Sequence, residues 1–112
     1  MVQLVEKAGD IAMVVLSGEN LDASNEKDFK REIRPILEAN KKVVLDMGKL
    51  LFVDSSGLGA ILSCLRQLNS AGGDLKLCEM TKPVRTLFEL VRMHRIFDIY
   101  NSRDEALRAF QR

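Results

Sequence analysis

Short apolar runs and helix-period segments take turns along this chain, and that alternation restricts its fold more than any other feature. The runs IAMVVL, KKVVLDM, LKLCEM and IFDIY are strand-length and mostly apolar, and KKVVLDM is β-branched at its centre. Between them, apolar side chains recur every three or four positions. One stripe is Phe29, Ile33, Ile36 and Leu37; the next is Leu58, Ile61, Leu62, Leu65 and Leu68; the third is Val84, Leu87, Phe88 and Val91. Spacing of three or four marks one face of a helix, whereas short β-branched runs mark strands. Strands that alternate with helices predict βαβ units, parallel pairing and right-handed crossovers. IAMVVL is apolar at every position, so it is expected to be covered on both faces.

Punctuation residues set the boundaries. Residues 2–7 and 11–17 flank AGD, a sequence suited to a tight reversal, so the chain should open with an antiparallel hairpin. A helix is expected over 25–39, capped by Ser24 or Asp22 and kinked or shortened at Pro35. A strand over 41–47 should lead into GKLLFV as an irregular or extended piece. A helix over 58–71 should then end at the glycines of AGGD. A strand over 75–80, a helix over 82–93 capped by Thr81, a strand over 96–100 and a last helix capped by Ser102 complete the chain. The expected order is β-β-α-β-α-β-α-β-α. It describes one α/β domain over 1–112, with a mixed, mostly parallel sheet and about four helices.

Composition removes several classes of function. A chain of 112 residues should bury roughly two-thirds of its unfolded surface, enough for a core without staples. The 17 basic and 16 acidic residues are interleaved and leave a net charge of +1, so no basic stripe points to nucleic acid. Cys64 and Cys78 lie in apolar surroundings without ligand spacing and read as buried thiols in a reducing compartment. No basic stretch followed by an apolar core opens the chain, and no apolar run is long enough to span a bilayer. Membrane insertion is therefore not expected, and a cytoplasmic location is. The one histidine, His94, can build neither a metal site nor a catalytic triad alone. The patterns G-x-S-x-G and G-x-x-x-x-G-K-[ST] are both absent. The chain is thus expected to be neither an enzyme nor the holder of a metal or cofactor.

What remains is FVDSSGLG at residues 52–59. Asp54, Ser55 and Ser56 suit a helix start, and Asp or Ser caps helices well. A cap explains one of these residues. Two serines and two glycines would weaken a helix if capping were their only task. Small side chains leave the hydroxyls unshielded and the backbone approachable. The patch also follows a strand of a parallel sheet, the edge where open α/β sheets place their sites. A helix N-terminus tolerates added negative charge, so Ser55 or Ser56 could carry a phosphate without unfolding the domain. A plain cap and a functional surface patch both remain open on these grounds.

The stretches VVLDMGKLLFVDSSGLGAIL, AGGDLKLCEMTKPVRTLFEL and IFDIYNSRDEAL resemble the STAS domain family of sulfate transporters and anti-sigma factor antagonists. Within it they are most similar to the stand-alone bacterial antagonists, over nearly the whole chain. The motif D-S-[SA]-G-[LI]-G between strand and helix carries the resemblance, and LDASN after SGE supports it. The resemblance implies a partner-switching regulator. It would bind an anti-sigma factor that is also a GHKL-type serine kinase. That kinase would phosphorylate the serine directly after the aspartate, here Ser55, and the phosphorylated form would release its partner. A PP2C-type phosphatase would reset it. Carried over by position, Asp54, Ser56, Gly57, Leu58 and Gly59 form the contacting rim. Asp22 matches the acid of the family's G-E-L-D stretch, although this chain reads GENLD with Asn20 inserted. The same resemblance admits a docking subunit of a lipid-transport or stressosome-like assembly, with no phospho-switch. A third reading, a nucleotide sensor using the Gly57 and Gly59 amides, rests on the helix N-terminus alone.

Overall fold

The computed structural model describes residues 1–111. Its order is β1 (Val2–Ala8), β2 (Ile11–Leu16), β3 (Asn20–Leu21), α1 (Glu26–Ala39), β4 (Lys42–Asp46), β5 (Phe52–Val53) and α2 (Ser55–Ser70). Then come β6 (Asp74–Cys78), α3 (Lys82–Leu90), a 3-10 turn (Met93–Arg95), β7 (Asp98–Tyr100) and α4 (Arg103–Phe110). Five strands form one mixed sheet in the order β1-β2-β4-β6-β7. β1 runs antiparallel to β2, and Gly9 supplies the left-handed turn between them at φ 65°. All the other neighbours in this sheet are parallel. The expected α/β architecture and its mixed sheet are therefore what the chain adopts.

Chain direction decides which face each helix covers. The crossovers β2-α1-β4, β4-α2-β6 and β6-α3-β7 all step the same way across the sheet. Crossovers of one hand that step one way deposit their helices on one face. Phe29, Ile33 and Leu37 of α1, Ile61, Leu65 and Leu68 of α2, and Val84 and Phe88 of α3 indeed share one core with Val14, Val43, Leu45, Leu75 and Leu77 of the sheet. The last helix has no strand to return to and closes the other face. Ala106 packs there with Ile11, Met13, Val44 and Cys78, and Tyr100, Leu107 and Phe110 flank them. Arg103 pins the start of α4 by donating to the buried carboxylate of Asp46 at 2.6 Å. With helices on both faces, β2 is buried along its whole length, as its uninterrupted apolar run requires.

Several boundaries differ from expectation for identifiable reasons. α1 runs through Pro35 rather than stopping there. Pro35 and Arg31 both lie on the solvent side, where the carbonyl that loses its partner at Arg31 is open to solvent. Phe29, Ile33 and Leu37 hold the helix from beneath. Neither Ser24 nor Asp22 caps α1; the N-cap position is Asn25, without a side-chain cap bond. Thr81 occupies the N-cap position of α3, yet its hydroxyl donates to the Leu50 carbonyl at 2.6 Å instead of capping. α3 ends at Leu90, and β7 starts only at Asp98 because the 3-10 turn takes up the intervening residues. GKLLFV contributes β5, which pairs in parallel with β3 to form a separate two-stranded sheet.

Both cysteines are free and buried, Cys64 on the inner side of α2 and Cys78 at the end of β6. Burial pushes each thiol up to about 12. The native protein should therefore be silent to a thiol reagent such as DTNB at pH 8, and both cysteines should react once denaturant is added. Fast labelling of either thiol in the native state would contradict this packing.

Candidate functional site

The sequence between β5 and α2 forms a helix start held from two directions. Val53 is buried and Asp54 is extended, at φ −98° and ψ −174°, so the chain enters α2 at Ser55 rather than at Leu58. Asp54 is the N-cap. One of its carboxylate oxygens accepts from the Gly57 N–H at 2.9 Å. The other accepts from the Ala23 N–H at 3.0 Å, in the loop after β3. One side chain thus satisfies an orphan helix donor and ties two loops together. These bonds, that from Gly57 foremost and that from Ala23 next, hold its carboxyl below its ordinary value.

Asp54→Ala is accordingly expected to lower thermal stability at neutral pH. Asp54 in the folded chain titrates below the ordinary 3.8. Its contribution is complete above that pH and fades as pH falls through the lowered value. Melting curves of the wild type and variant should diverge at pH 7 and converge in strong acid. A constant difference across that range would rule out the charged cap.

The loop of residues 20–25 that Asp54 holds has its own order. Asp22 accepts from the Ser24 N–H at 2.9 Å and from the Ser24 hydroxyl. Asn25 accepts from the Asp22 N–H and donates to the Asn20 carbonyl, each at 2.9 Å. Asp22 therefore shapes its own turn. The extra Asn20 is absorbed as the first residue of β3, paired with Phe52. Leu21, its neighbour, lies against Gly57. A Cβ built at Gly57 would stand 2.2 Å from the Leu21 carbonyl oxygen, so glycine is required by close approach of backbone.

The residues expected to form a rim divide into two groups. Ser55 and Gly59 are exposed, and Asp54, Ser56 and Asp22 are half-buried; together these form a surface. Gly57 and Leu58 point inward and are buried, so their part is to seat the helix. Ser55 occupies the first turn of α2, where the helix dipole favours negative charge. Among the described residues its hydroxyl has no side-chain hydrogen bond. Shortly before it in the chain come two residues that sequence reasoning passed over. Leu51 and Phe52 are large and apolar, yet 49% and 52% exposed. Their amides donate to the Glu19 carbonyl at 2.7 and 3.1 Å, which fixes the backbone while the side chains stay at the surface. An apolar pair preceding a small-residue patch was the available signal. The arrangement offers a docking face with one addressable hydroxyl. Among the described residues, no group of three or more His, Cys, Asp or Glu side chains gathers as a metal site would require. No helix is long and apolar enough to cross a membrane.

The whole chain can be compared with known proteins. BtrV of Bordetella bronchiseptica is 32% identical over 108 residues, spanning 96% of this chain and 92% of that protein. The anti-sigma F factor antagonist of Paenibacillus polymyxa is 31% identical over 99 residues, spanning 87% of this chain and 84% of that one. A crystal structure from Thermotoga maritima superposes with a TM-score of 0.84 at 26% identity, covering 96% of this chain and 92% of the other. The family model described as "STAS domain" matches residues 3–106. On the family model matched over residues 3–106 and the relatives more than 30% identical over most of both chains, the chain belongs to the STAS domain family.

Proposed function

We propose that this protein is an anti-sigma factor antagonist switched by phosphorylation of Ser55. Its partner would be an anti-sigma factor that is itself a GHKL-type serine kinase, and a PP2C-type phosphatase would reverse the modification. The observation that carries the reading is the position of Ser55. Its hydroxyl is exposed in the first turn of α2, on a backbone fixed by Asp54 and Gly57, a few residues after the exposed Leu51 and Phe52. The likeness to an anti-sigma F factor antagonist over most of both chains supports the same role.

The physical logic is local. The unmodified face offers apolar area and small polar groups to a partner. A phosphoserine adds a charge of about −1.5 to −2 next to the Asp54 carboxylate. A partner that had closed over Leu51 and Phe52 would then have to desolvate two adjacent anions. No rearrangement of the domain is needed for release.

The test is incubation with ATP and a candidate GHKL kinase encoded near this chain, followed by phosphopeptide mapping. A single phosphate on Ser55, absent from Ser55→Ala, is the expected result. Labelling that persists in Ser55→Ala would remove Ser55 as the acceptor. A Ser55→Asp chain that keeps every partner of the wild type would favour simple docking over switching.

A further inference from the structure

The structure carries a second surface of mixed apolar and basic character at the opposite edge of the sheet from Ser55. Thr81, at the start of α3, is bonded to Leu50 on the Ser55 side. α3 then runs its nine residues, roughly 13 Å at the helical rise, to the edge where β7 begins. There residues 90–96 read LVRMHRI, bounded by the exposed Glu89 and by Asp98, whose carboxylate is taken up by Lys76 at 3.0 Å. Leu90 is 78% exposed, Ile96 52% and Val91 46%. Arg92, His94 and Arg95 are exposed among them. Among the described residues, neither Arg92 nor Arg95 takes part in an ion pair.

This segment is exposed but not loose. Phe97 is buried and meets Phe88 with ring centroids 5.8 Å apart. Ile96 and Phe97 donate to the Met93 carbonyl at 3.0 and 3.1 Å, and Arg95 donates to that of Arg92 at 3.3 Å. Arg92 adopts a left-handed conformation at φ 62°, just past the end of α3. That is the place where helices commonly put glycine, because only glycine adopts it without cost. An arginine at such a strained position motivates a search for what its side chain does.

We infer that residues 90–96 form a second protein-docking surface whose occupant is an acidic, amphipathic segment of a partner protein. Carboxylates of that segment pair with Arg92 and Arg95, and its aliphatic side chains cover Leu90, Val91 and Ile96. Charge complementarity selects the sign of the occupant. The cations are arginines, which bind carboxylates through two parallel hydrogen bonds and are enriched in protein interfaces, where lysine is depleted. Lipid-binding basic clusters usually gather about four to eight cations, more than this patch offers. Because the backbone is already ordered, little conformational freedom is lost on docking. This surface is independent of Ser55 and would let the domain hold one partner while the switch releases another.

The test is an NMR titration of the uniformly 15N-labelled full chain with three defined probes. They are a synthetic amphipathic peptide of Glu and Leu, its counterpart with Lys for Glu, and phosphatidylcholine vesicles containing phosphatidylglycerol. The Glu peptide should shift the amides of residues 90–97 in a saturable way, and the Lys peptide should not. The double variant Arg92→Gly and Arg95→Gln should bind the Glu peptide about tenfold more weakly. It should fold normally, since glycine accepts the conformation at position 92. Ser55→Asp should titrate like the wild type. The inference is overturned if these amides do not respond, if both peptides act equally, or if Ser55→Asp abolishes the response. It is equally overturned if the vesicles broaden these amides while the Glu peptide leaves them unmoved, which would assign the patch to lipid.

Discussion

Alanine at position 57 should destabilise the fold by about 3 kcal/mol, the upper end of the usual range for forcing atoms into a filled space, whereas alanine at position 59 should stabilise it. The two glycines sit two residues apart on α2, but their surroundings are opposite. At Gly57 an added Cβ meets the Leu21 carbonyl oxygen at 2.2 Å, its carbon at 2.8 Å and a Val53 methyl at 2.9 Å. The Leu21 carbonyl cannot swing aside freely. It accepts from the Asp54 N–H at 3.3 Å, and Leu21 is paired with Val53 in the small sheet. At Gly59 nothing lies within 4 Å of the added carbon. There the substitution only removes the entropic penalty of glycine in a helix, about 0.5–1 kcal/mol. Urea denaturation should show the midpoint falling in one variant and rising in the other. In thermal melts the Gly57 change should amount to on the order of 10 °C for a domain of this size. Gly73 offers an internal check, since its Cβ would approach the Lys41 carbonyl oxygen to 2.0 Å. Equal effects at 57 and 59 would mean that α2 is not seated on β3 as described.

The same pair of glycines shows what was legible in the sequence and what was not. The order of the main strands and helices could be read because the apolar period changes at each boundary. β2, with six consecutive apolar residues, announced its burial on both faces. β3 and β5 have two residues each and carry no period, so β3 was hidden and β5 was read only as part of an irregular or extended piece. Their absence from the reading delayed the start of α2 by three residues. Ser55, Ser56 and Gly57 are poor helix formers by propensity. Contact with β3 and the Asp54 cap override that preference. Gly57 consequently looked like part of an exposed patch, when it is the point of closest approach between α2 and its neighbour. Leu51 and Phe52 were missed for the converse reason. Apolar residues are read as core, and only coordinates reveal which ones a two-residue strand leaves at the surface. The exposure of Ser55 was legible because the small residues around it are local in sequence and do not depend on either small strand.

Ser55→Asp should separate binding from stability, and this is the sharpest test of the proposed switch. The hydroxyl is exposed and has no side-chain partner to lose, so the substitution breaks nothing in the fold. A new carboxylate at a helix start is favoured by the dipole by about 0.3–1 kcal/mol. Asp54 beside it opposes that gain. The net change in stability should stay within about 0.5 kcal/mol, as for most surface substitutions. Affinity for the anti-sigma partner should fall at least about tenfold, or about 1.4 kcal/mol. The partner must strip water from the added charge while closing over Leu51 and Phe52. Ser55→Ala, which adds no charge, should bind nearly as the wild type does. The penalty at Ser55→Asp should also shrink as salt is raised, to the extent that it is repulsion across a partly solvated interface. Calorimetric titration at two salt concentrations, paired with denaturation curves of the same samples, measures all of this. An Ser55→Asp chain that unfolds early would show that Ser55 supports the fold and would undercut the switch. One that is stable and binds at full strength would show that charge at this position does not control the partner. Loss of binding with an intact fold, recovered in part by salt, is the pattern expected of the proposed switch.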